Sequence, residues 1–293
     1  MSLMTALTMS AGLWAMEPAQ TILLYPDGAP DSNGYSAEDE FVKEGTKFYK
    51  TSVPRLDLYL PADKEAKDAA SHSTFPVLLV CPGGSYQFTS TGNEGIDVAN
   101  FFVPRGYAIA VLKYRLPNGH ENIPLEDAMQ AMRLLRRNAS EWHLQAEKIG
   151  VMGFSAGGHL AASLLTKFAD AETRPDYGIL VYPVITMNEE LTHQGSCKNL
   201  LGANPTPEQR QNWSTELQVT ANTPECLIVA CQDDKTVKVK NSLLFYEALT
   251  ENKVPSSLVI VPVGGHGWGF RKHFPDRERI DQAIITFLST HAR

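Results

Sequence analysis

Ser155 stands in the sequence surroundings that most clearly indicate chemistry. It is the centre of Gly-Phe-Ser-Ala-Gly at residues 153–157, which follows an apolar, strand-like stretch at 148–152 and precedes a helical pattern. Strand, tight turn and helix in this order are typical of a nucleophile elbow, whose sharp turn exposes the serine hydroxyl. A glycine- and serine-rich turn without chemistry is the alternative, and the flanking strand and helix disfavour it. We therefore predict that Ser155 is a nucleophile.

A nucleophilic serine needs a histidine to accept its proton. His266 lies in a glycine-rich loop at 264–269, directly after the last strand-like stretch. Loops at the carboxyl ends of parallel strands are where such a sheet presents a site. His266 is therefore the predicted base. We interpret the other histidines downstream of the serine as packing, cap or surface residues: His159, His193, His273 and His291.

Two aspartates compete for the role of the carboxylate that orients this histidine. Asp233 and Asp234 both follow the apolar stretch 225–231, where a carboxylate can reach an imidazole at the same edge of the sheet. Successive residues point in different directions, so only one of the two is expected to do so. Their position alone leaves the choice open.

Backbone N–H groups are candidates for binding an oxyanion. Pro-Gly-Gly-Ser at residues 82–85 follows a buried, strand-like stretch, and its glycines let N–H groups face a ligand. The helix after the serine adds the N–H groups of its first turn, which point at the same place. We predict Gly84, Ser85 and Ala156 as the donors.

The elements that must position these residues alternate along the chain. Strand-like apolar stretches lie at 55–60, 75–81, 107–112, 148–152, 178–183, 225–231 and 258–261. Helical patterns lie at 94–104, 125–135, 156–168, 237–252 and 279–290. This alternation predicts an α/β fold with a mostly parallel central sheet and helices on both faces. A chain of 293 residues suits a single domain, 1–293.

Residues 185–223 interrupt the alternation. They are polar and irregular and too long for a plain connection, which predicts a small cap or lid insertion over the site. Tyr86, Trp213 and Trp268 are candidates for the substrate pocket, and packing in the core or cap is an equally good alternative for each. Residues 25–30 are typical of a turn and open a polar stretch that extends to about residue 52, and we interpret residues 64–73 as a polar connecting segment.

Composition argues against several kinds of partner. The net charge of −7 disfavours nucleic acid, and no run of 18 apolar residues could span a membrane. The four cysteines lack the spacing of a zinc site, and a serine nucleophile needs no metal or cofactor. Residues 3–16 are mostly apolar but lack a basic residue, so they fit a docked helix or the remnant of a signal sequence. The compartment (periplasmic or secreted, or cytoplasmic) and the oligomeric state stay open.

Taken together, these motifs resemble bacterial α/β-hydrolase esterases related to the acetylxylan esterases. The resemblance is carried by residues 82–86, 153–161, 233–243 and 264–267 and extends to 25–30 and 56–61. It implies an α/β-hydrolase fold. It also favours Asp234 over Asp233 as the acid, because the family's aspartate lies three residues before a valine, here Val237. The chain departs from the family at Ser85, where a third glycine is usual, and after Asp234, where a common proline is missing.

The resemblance also implies a function. We expect a serine carboxylic-ester hydrolase that deacetylates sugars or xylan-derived oligosaccharides through a Ser-His-Asp acyl-enzyme mechanism, so its partner is a small-molecule or oligosaccharide ester. A general short-chain carboxylesterase or lipase-like enzyme is the first alternative, because the size of the pocket is not visible in a sequence. A peptidase of the prolyl-oligopeptidase type needs a large extra domain for which this chain has no room. A catalytically silent binding protein would have a broken triad.

Overall fold

Eight strands form the central sheet in the computed structural model of the protein, which describes residues 16–62, 74–271 and 273–291. The interpretations of residues 3–16 and 64–73 therefore lie outside the described residues, apart from Met16. In chain order the strands of the protein are β1 (Gln20–Leu23), β2 (Phe41–Lys43), β3 (Lys47–Tyr49), β4 (Arg55–Tyr59), β5 (Phe75–Cys81), β6 (Phe88–Ser90), β7 (Ala108–Lys113), β8 (Leu144–Phe154), β9 (Gly178–Val181), β10 (Cys226–Cys231) and β11 (Ser256–Val261).

The central sheet has the order β1-β4-β7-β5-β8-β9-β10-β11. Strand β4 is antiparallel to both of its neighbours, β1 and β7, and all other neighbouring pairs are parallel. Strand β5 reads Phe-Pro-Val-Leu-Leu-Val-Cys and is buried almost throughout, as expected of a parallel strand with both faces covered. The predicted α/β class and mostly parallel sheet are confirmed.

Helices cover both faces of this sheet. They are α1 (Asp97–Phe102), α2 (Ile123–Arg137), α3 (Ser155–Lys167), α4 (Gln194–Leu201), α5 (Pro207–Trp213), α6 (Lys240–Glu251) and α7 (Arg277–His291). Because side chains alternate along a strand, Val77 and Leu79 of β5 join the core with α2, α3 and α6, whereas Leu78 joins the core with α1 and α7. Within the described ranges, no helix is long and apolar enough to cross a membrane.

The stretch 185–223 is more regular than predicted, since it contains α4, α5 and a short 3-10 turn. Helix α5 begins with a capping box. The Thr206 hydroxyl accepts the N–H of Gln209, and the Gln209 side chain accepts the N–H of Thr206. Pro207 suits the first turn, where its missing N–H would have no acceptor in the helix. The expectation of irregular structure is therefore wrong, although the capping signal was present in the sequence.

A second, three-stranded antiparallel sheet consists of β2, β3 and β6. Strands β2 and β3 form a hairpin whose turn contains two residues with positive φ, Glu44 at 51° and Gly45 at 70°. Strands of three residues are too short for an alternating pattern to stand out. The sequence described 25–52 only as a polar stretch, and this hairpin within it was not predicted. We call these three strands the small sheet.

A buried ion pair fixes the segment that leads to the small sheet. Arg115 and Asp127 lie 2.7 Å apart at their closest N and O atoms, and neither side chain is more than 1% exposed. Arg115 also donates from Nη1 to the carbonyl oxygen of Asp31 at 2.5 Å. Asn33 then donates from Nδ2 to the carbonyl oxygen of Leu116 at 2.8 Å. Since buried charges are stable only when they are paired, this segment has a defined place beside the core.

Candidate active site

Ser155 lies on the elbow between β8 and α3. Its φ of 52° belongs to the left-handed region, which costs a serine energy and is held by the tight turn around it. A Cβ atom on Gly157 would lie 2.1 Å from the carbonyl oxygen of Cys81, and one on Gly153 would lie 2.2 Å from the carbonyl oxygen of Gly157. The two glycines of the motif therefore let α3 approach the end of β5.

His266 and Asp234 form a row of hydrogen bonds with Ser155. The distance from His266 Nε2 to Ser155 Oγ is 2.8 Å, and that from His266 Nδ1 to Asp234 Oδ2 is 2.6 Å. Because a carboxylate only accepts, Nδ1 carries the proton and Nε2 is left to accept the proton of the serine hydroxyl. The other carboxylate oxygen of Asp234 accepts the N–H groups of Thr236 and Val237, each at 2.9 Å. The orientation of this carboxylate is therefore set by its own strand end.

Asp233 has different partners. Its Oδ1 accepts the N–H groups of Gly264 and Gly265 at 3.0 and 2.8 Å. These bonds, the one from Gly265 most of all, hold the pKa of Asp233 below the usual carboxyl value. Of the two aspartates, Asp233 thus fixes the 264–269 loop and Asp234 reaches the ring of His266.

The 82–86 loop presents N–H groups beside Ser155. A Cβ atom on Gly83 would lie 3.0 Å from the Cβ of Ser155, so the loop passes next to the serine. Gly84 has a φ of 132°, and a Cβ atom there would lie 2.0 Å from a carbonyl oxygen, so only glycine fits. Among the described residues, the N–H groups of Gly84 and Ser85 have no acceptor. The N–H of Ala156 lies in the first turn of α3, where a helix provides no carbonyl oxygen to accept it.

Glu94 connects the 82–86 loop to the loop that carries His266. Its Oε2 accepts the N–H of Gly83 at 2.7 Å, and its Oε1 accepts the hydroxyl of Tyr182 at 2.8 Å. The Tyr182 oxygen in turn accepts the N–H of Gly269 at 2.8 Å, and its ring lies 4.7 Å from the ring of His266. Burial raises the pKa of Glu94, against the opposing effect of the two hydrogen bonds. Neither Glu94 nor Tyr182 was predicted, because Glu94 lies in a polar, glycine-rich stretch and Tyr182 ends an apolar one, and neither belongs to a motif.

The three aromatic residues predicted to line the pocket are buried, with exposed fractions of 2% for Tyr86, 2% for Trp213 and 5% for Trp268. The Tyr86 hydroxyl donates to His159 Nδ1, and His159 Nε2 donates to the carbonyl oxygen of Trp213, both at 2.8 Å. Trp268 stacks on Phe274 with ring centroids 4.5 Å apart. The rings of Trp213 and Trp268 thus pack against other residues of the protein, and a pocket role for them stays a prediction. Tyr86 holds His159 through its hydroxyl.

Helix α4, part of the predicted cap, lies against the 82–86 loop. Asn199 donates from Nδ2 to the carbonyl oxygen of Ser85 at 2.9 Å. His193 accepts the N–H of Ser196 and so caps the start of α4. The pKa of His193 is lowered by burial first and then by the nearby ring of His266. The beginning of α4 therefore lies close to the row of hydrogen bonds that starts at Ser155.

The arrangement contains the groups that acyl transfer requires: a nucleophile, a base in the correct tautomer, a carboxylate that orients the base, and free N–H donors. In the described part of the chain, no three His, Cys, Asp or Glu side chains group together so that they could hold a metal ion. The fold and this site define the class of protein as an α/β-hydrolase.

The chain belongs to the BD-FAE family, whose sequence profile matches residues 56–249. Over 213 residues it is 36% identical to an acetylxylan esterase of Xylanibacter ruminicola, covering 71% of this chain and 44% of that protein. Over 229 residues it is 39% identical to endo-1,4-β-xylanase B of Butyrivibrio fibrisolvens, covering 73% of this chain and 34% of that protein. The chain thus spans less than half the length of these relatives.

A solved structure is also similar over nearly the whole chain. It is that of an acetyl ester-xyloside bifunctional hydrolase from Caldicellulosiruptor lactoaceticus, with a TM-score of 0.77 and 31% identity. The similarity covers 93% of this chain and 97% of that one. The predicted resemblance to α/β-hydrolase esterases related to acetylxylan esterases is confirmed.

Replacing Glu94 by Gln tests the connection between the two loops. An amide nitrogen cannot accept, so one of the two donors, Gly83 N–H or the Tyr182 hydroxyl, loses its acceptor in a buried place. We expect the free energy of unfolding to fall by about 1–3 kcal/mol, measured by urea denaturation. Glu190→Gln is the matched control, because Glu190 is exposed. Equal stability of the two variants would contradict the connection.

Acid should destabilise the protein through His159. Burial lowers the pKa of His159 from 6.5 to about 4, so between these values the unfolded chain binds a proton that the folded chain does not. Stability is therefore lost as the pH falls through this window, by about 1.36 kcal/mol per unit. We expect His159→Gln to reduce the loss between pH 7 and pH 5 by about 2 kcal/mol, measured by urea denaturation. Replacing the exposed His120 by Gln should not reduce it.

Proposed function

We propose that this chain is a serine hydrolase of carboxylic esters that works through an acyl-enzyme. The observation that carries the proposal is the row Ser155–His266–Asp234, with N–O distances of 2.8 and 2.6 Å and the base in the tautomer that can accept the serine proton. Membership of the BD-FAE family and the esterase names of the relatives support it.

The proposed reaction has two halves. Ser155 Oγ attacks the ester carbonyl carbon while its proton moves to His266 Nε2, and Asp234 stabilises the imidazolium that forms. The tetrahedral intermediate collapses, the alcohol leaves with the proton from His266, and the acyl group stays on Ser155. Water then attacks the acyl-enzyme, giving its proton to His266, and the acid leaves as the serine is restored. One ester and one water thus become one acid and one alcohol.

The oxyanion of each intermediate is the part that the backbone stabilises. Gly84, Ser85 and Ala156 are the proposed donors. The 82–86 loop passes next to Ser155 at Gly83, the N–H groups of Gly84 and Ser85 have no other acceptor among the described residues, and Ala156 follows Ser155 in the first turn of α3. A donor of this kind contributes about 3–4 kcal/mol to the transition state. The hydrogen bond from the Gly83 N–H to Glu94 supports this arrangement, since it occupies that N–H group and fixes the position of the loop.

The proposed substrate is an acetylated sugar or a xylan-derived oligosaccharide. The support comes from relatives whose names refer to acetylxylan, xylan or acetyl ester and xyloside chemistry, and which share 31–39% of their aligned residues with this chain. We further propose that residues 185–223 act as a cap, because α4 contacts the 82–86 loop through Asn199.

Release of acetate measures this function. Acetylated xylo-oligosaccharides and p-nitrophenyl acetate are each incubated with the intact chain and with the Ser155→Ala variant. The kcat of the variant should be lower by at least about 10,000-fold. Hydrolysis of p-nitrophenyl acetate alone would favour a general short-chain carboxylesterase. Failure of the intact chain to hydrolyse either ester, or full activity of Ser155→Ala, would overturn the proposal.

The two neighbouring aspartates offer a matched pair of variants. Asp234→Asn presents an amide that favours the wrong tautomer of His266, so kcat on p-nitrophenyl acetate should fall by about 10,000-fold. Asp233→Asn removes only an acceptor for the 264–269 loop and should lower kcat by about tenfold or less. Comparable losses in the two variants would sink the assignment of Asp234 as the acid.

A further inference from the structure

A surface cavity of about 410 Å³ lies next to the 82–86 loop. Its walls come from the small sheet through Phe41 and Tyr49, from the loop itself through Tyr86, and from α4 through Asn199. The volume falls within about 300–1,000 Å³, the range of sites for small organic molecules. Because Asn199 also donates to a carbonyl oxygen of the 82–86 loop, the cavity adjoins the N–H donors beside the serine.

Two of the aromatic rings in the cavity belong to a row across the small sheet. Phe41 and Tyr49 are stacked with centroids 4.8 Å apart and ring planes 5° apart, and Tyr49 lies 5.0 Å from Phe88. The three residues are direct cross-strand partners, so their rings share one face. The Phe41 residue remains 41% exposed. The row therefore offers apolar ring surface that a ligand can cover.

The rest of the cavity supplies hydrogen-bonding groups. Asn118, Asn199 and Gln87 bring side-chain amides, which both donate and accept. Lys50 and Lys198 add donors. None of the described lining residues is acidic, which disfavours a cationic ligand.

A sugar ring matches this combination. A pyranose has flat faces of C–H bonds that pack on aromatic rings and a rim of hydroxyls that need hydrogen-bond partners. An alkyl chain would cover the rings but could not form hydrogen bonds with the amides and lysines around them, and displacing water from these groups without replacing its hydrogen bonds costs binding energy. The mixture of stacked rings and amides therefore favours a carbohydrate.

We propose that this cavity is a subsite for pyranose units that flank the esterified sugar. The proposal rests on the proposed function, because it places the ester carbonyl between Ser155 and the 82–86 loop. The sugar chain then continues past Tyr86, stacks on Phe41 and Tyr49, and is bound at its hydroxyls by the amides. The subsite gives esterified oligosaccharides a lower KM than small esters.

Binding of xylotetraose, followed by isothermal titration calorimetry, tests the subsite without any ester chemistry. The Ser155→Ala variant is the background, and adding Phe41→Ala should weaken binding by about tenfold or more, because one stacking face is lost. Val42→Ala is the matched control. Val42 is 46% exposed on the same strand, and its side chain points to the other face of the small sheet. The affinity of the Val42→Ala variant for xylotetraose should stay within about twofold of that of the Ser155→Ala background.

Two further variants guard against a loss of folding. Phe41→Tyr keeps the ring and should retain xylotetraose affinity, whereas Phe41→Leu keeps apolar bulk without a ring and should lose it. Thermal unfolding of each variant shows whether the small sheet is intact. A drop in affinity for Phe41→Leu at an unchanged Tm isolates the stacking contribution.

The outcomes separate this proposal from the proposed function. Ester hydrolysis that depends on Ser155, together with no xylotetraose binding or equal affinity for Phe41→Ala and Val42→Ala, overturns the subsite alone. Xylotetraose binding that depends on Phe41, in a chain that hydrolyses no ester, supports the subsite and overturns the function alone. A dimer in sedimentation velocity that Phe41→Ala dissociates overturns the subsite, because a second copy then covers the rings.

Discussion

The carboxylate of Glu94 accepts hydrogen bonds from two parts of the chain that are far apart in sequence. One donor is the Gly83 N–H of the 82–86 loop, and the other is the hydroxyl of Tyr182. The Tyr182 oxygen in turn accepts the N–H of Gly269 in the 264–269 loop. A buried carboxylate is costly to desolvate, so its position is defined only where donors surround it. The N–H donors and the base of the site therefore keep a fixed distance from each other. The rest of the site depends on this constraint.

The 82–86 loop is also where the two additions to the central sheet meet. Helix α4 contacts the loop through Asn199. Helix α5 is connected to it through His159, which forms one hydrogen bond with Tyr86 and another with the carbonyl oxygen of Trp213. The small sheet continues from it directly, since β6 begins two residues after the loop ends. Ser155, the proposed nucleophile, thus lies between a strand and a helix of the central fold, whereas the surroundings of the proposed substrate come from additions to the fold.

Much of the site follows from short-range patterns. The elbow at 153–157 and the loops 82–86 and 264–269 each lie at or just after the end of a strand, so strand ends and local glycines were enough to find them. The choice between Asp233 and Asp234 needed the resemblance to a family, and the geometry then separated their partners. The sequence could not show which aromatic residues are buried, because aromatic side chains in a sequence look the same in a core and on a surface. The small sheet was not predicted because its strands are only three residues long.

By itself, the sequence determined the α/β class, the strand-to-helix elbow of Ser155 and the loop positions of His266 and Asp234, because alternation and glycine spacing are local properties. Only the tertiary structure decided which groups surround them. Glu94 lies 88 positions from Tyr182, and Phe41 pairs with Tyr49 across a hairpin that shows no clear pattern. The contact between Glu94 and Tyr182 depends on how the parallel strands are ordered in the sheet, and that order is a property of the packed core rather than of any segment.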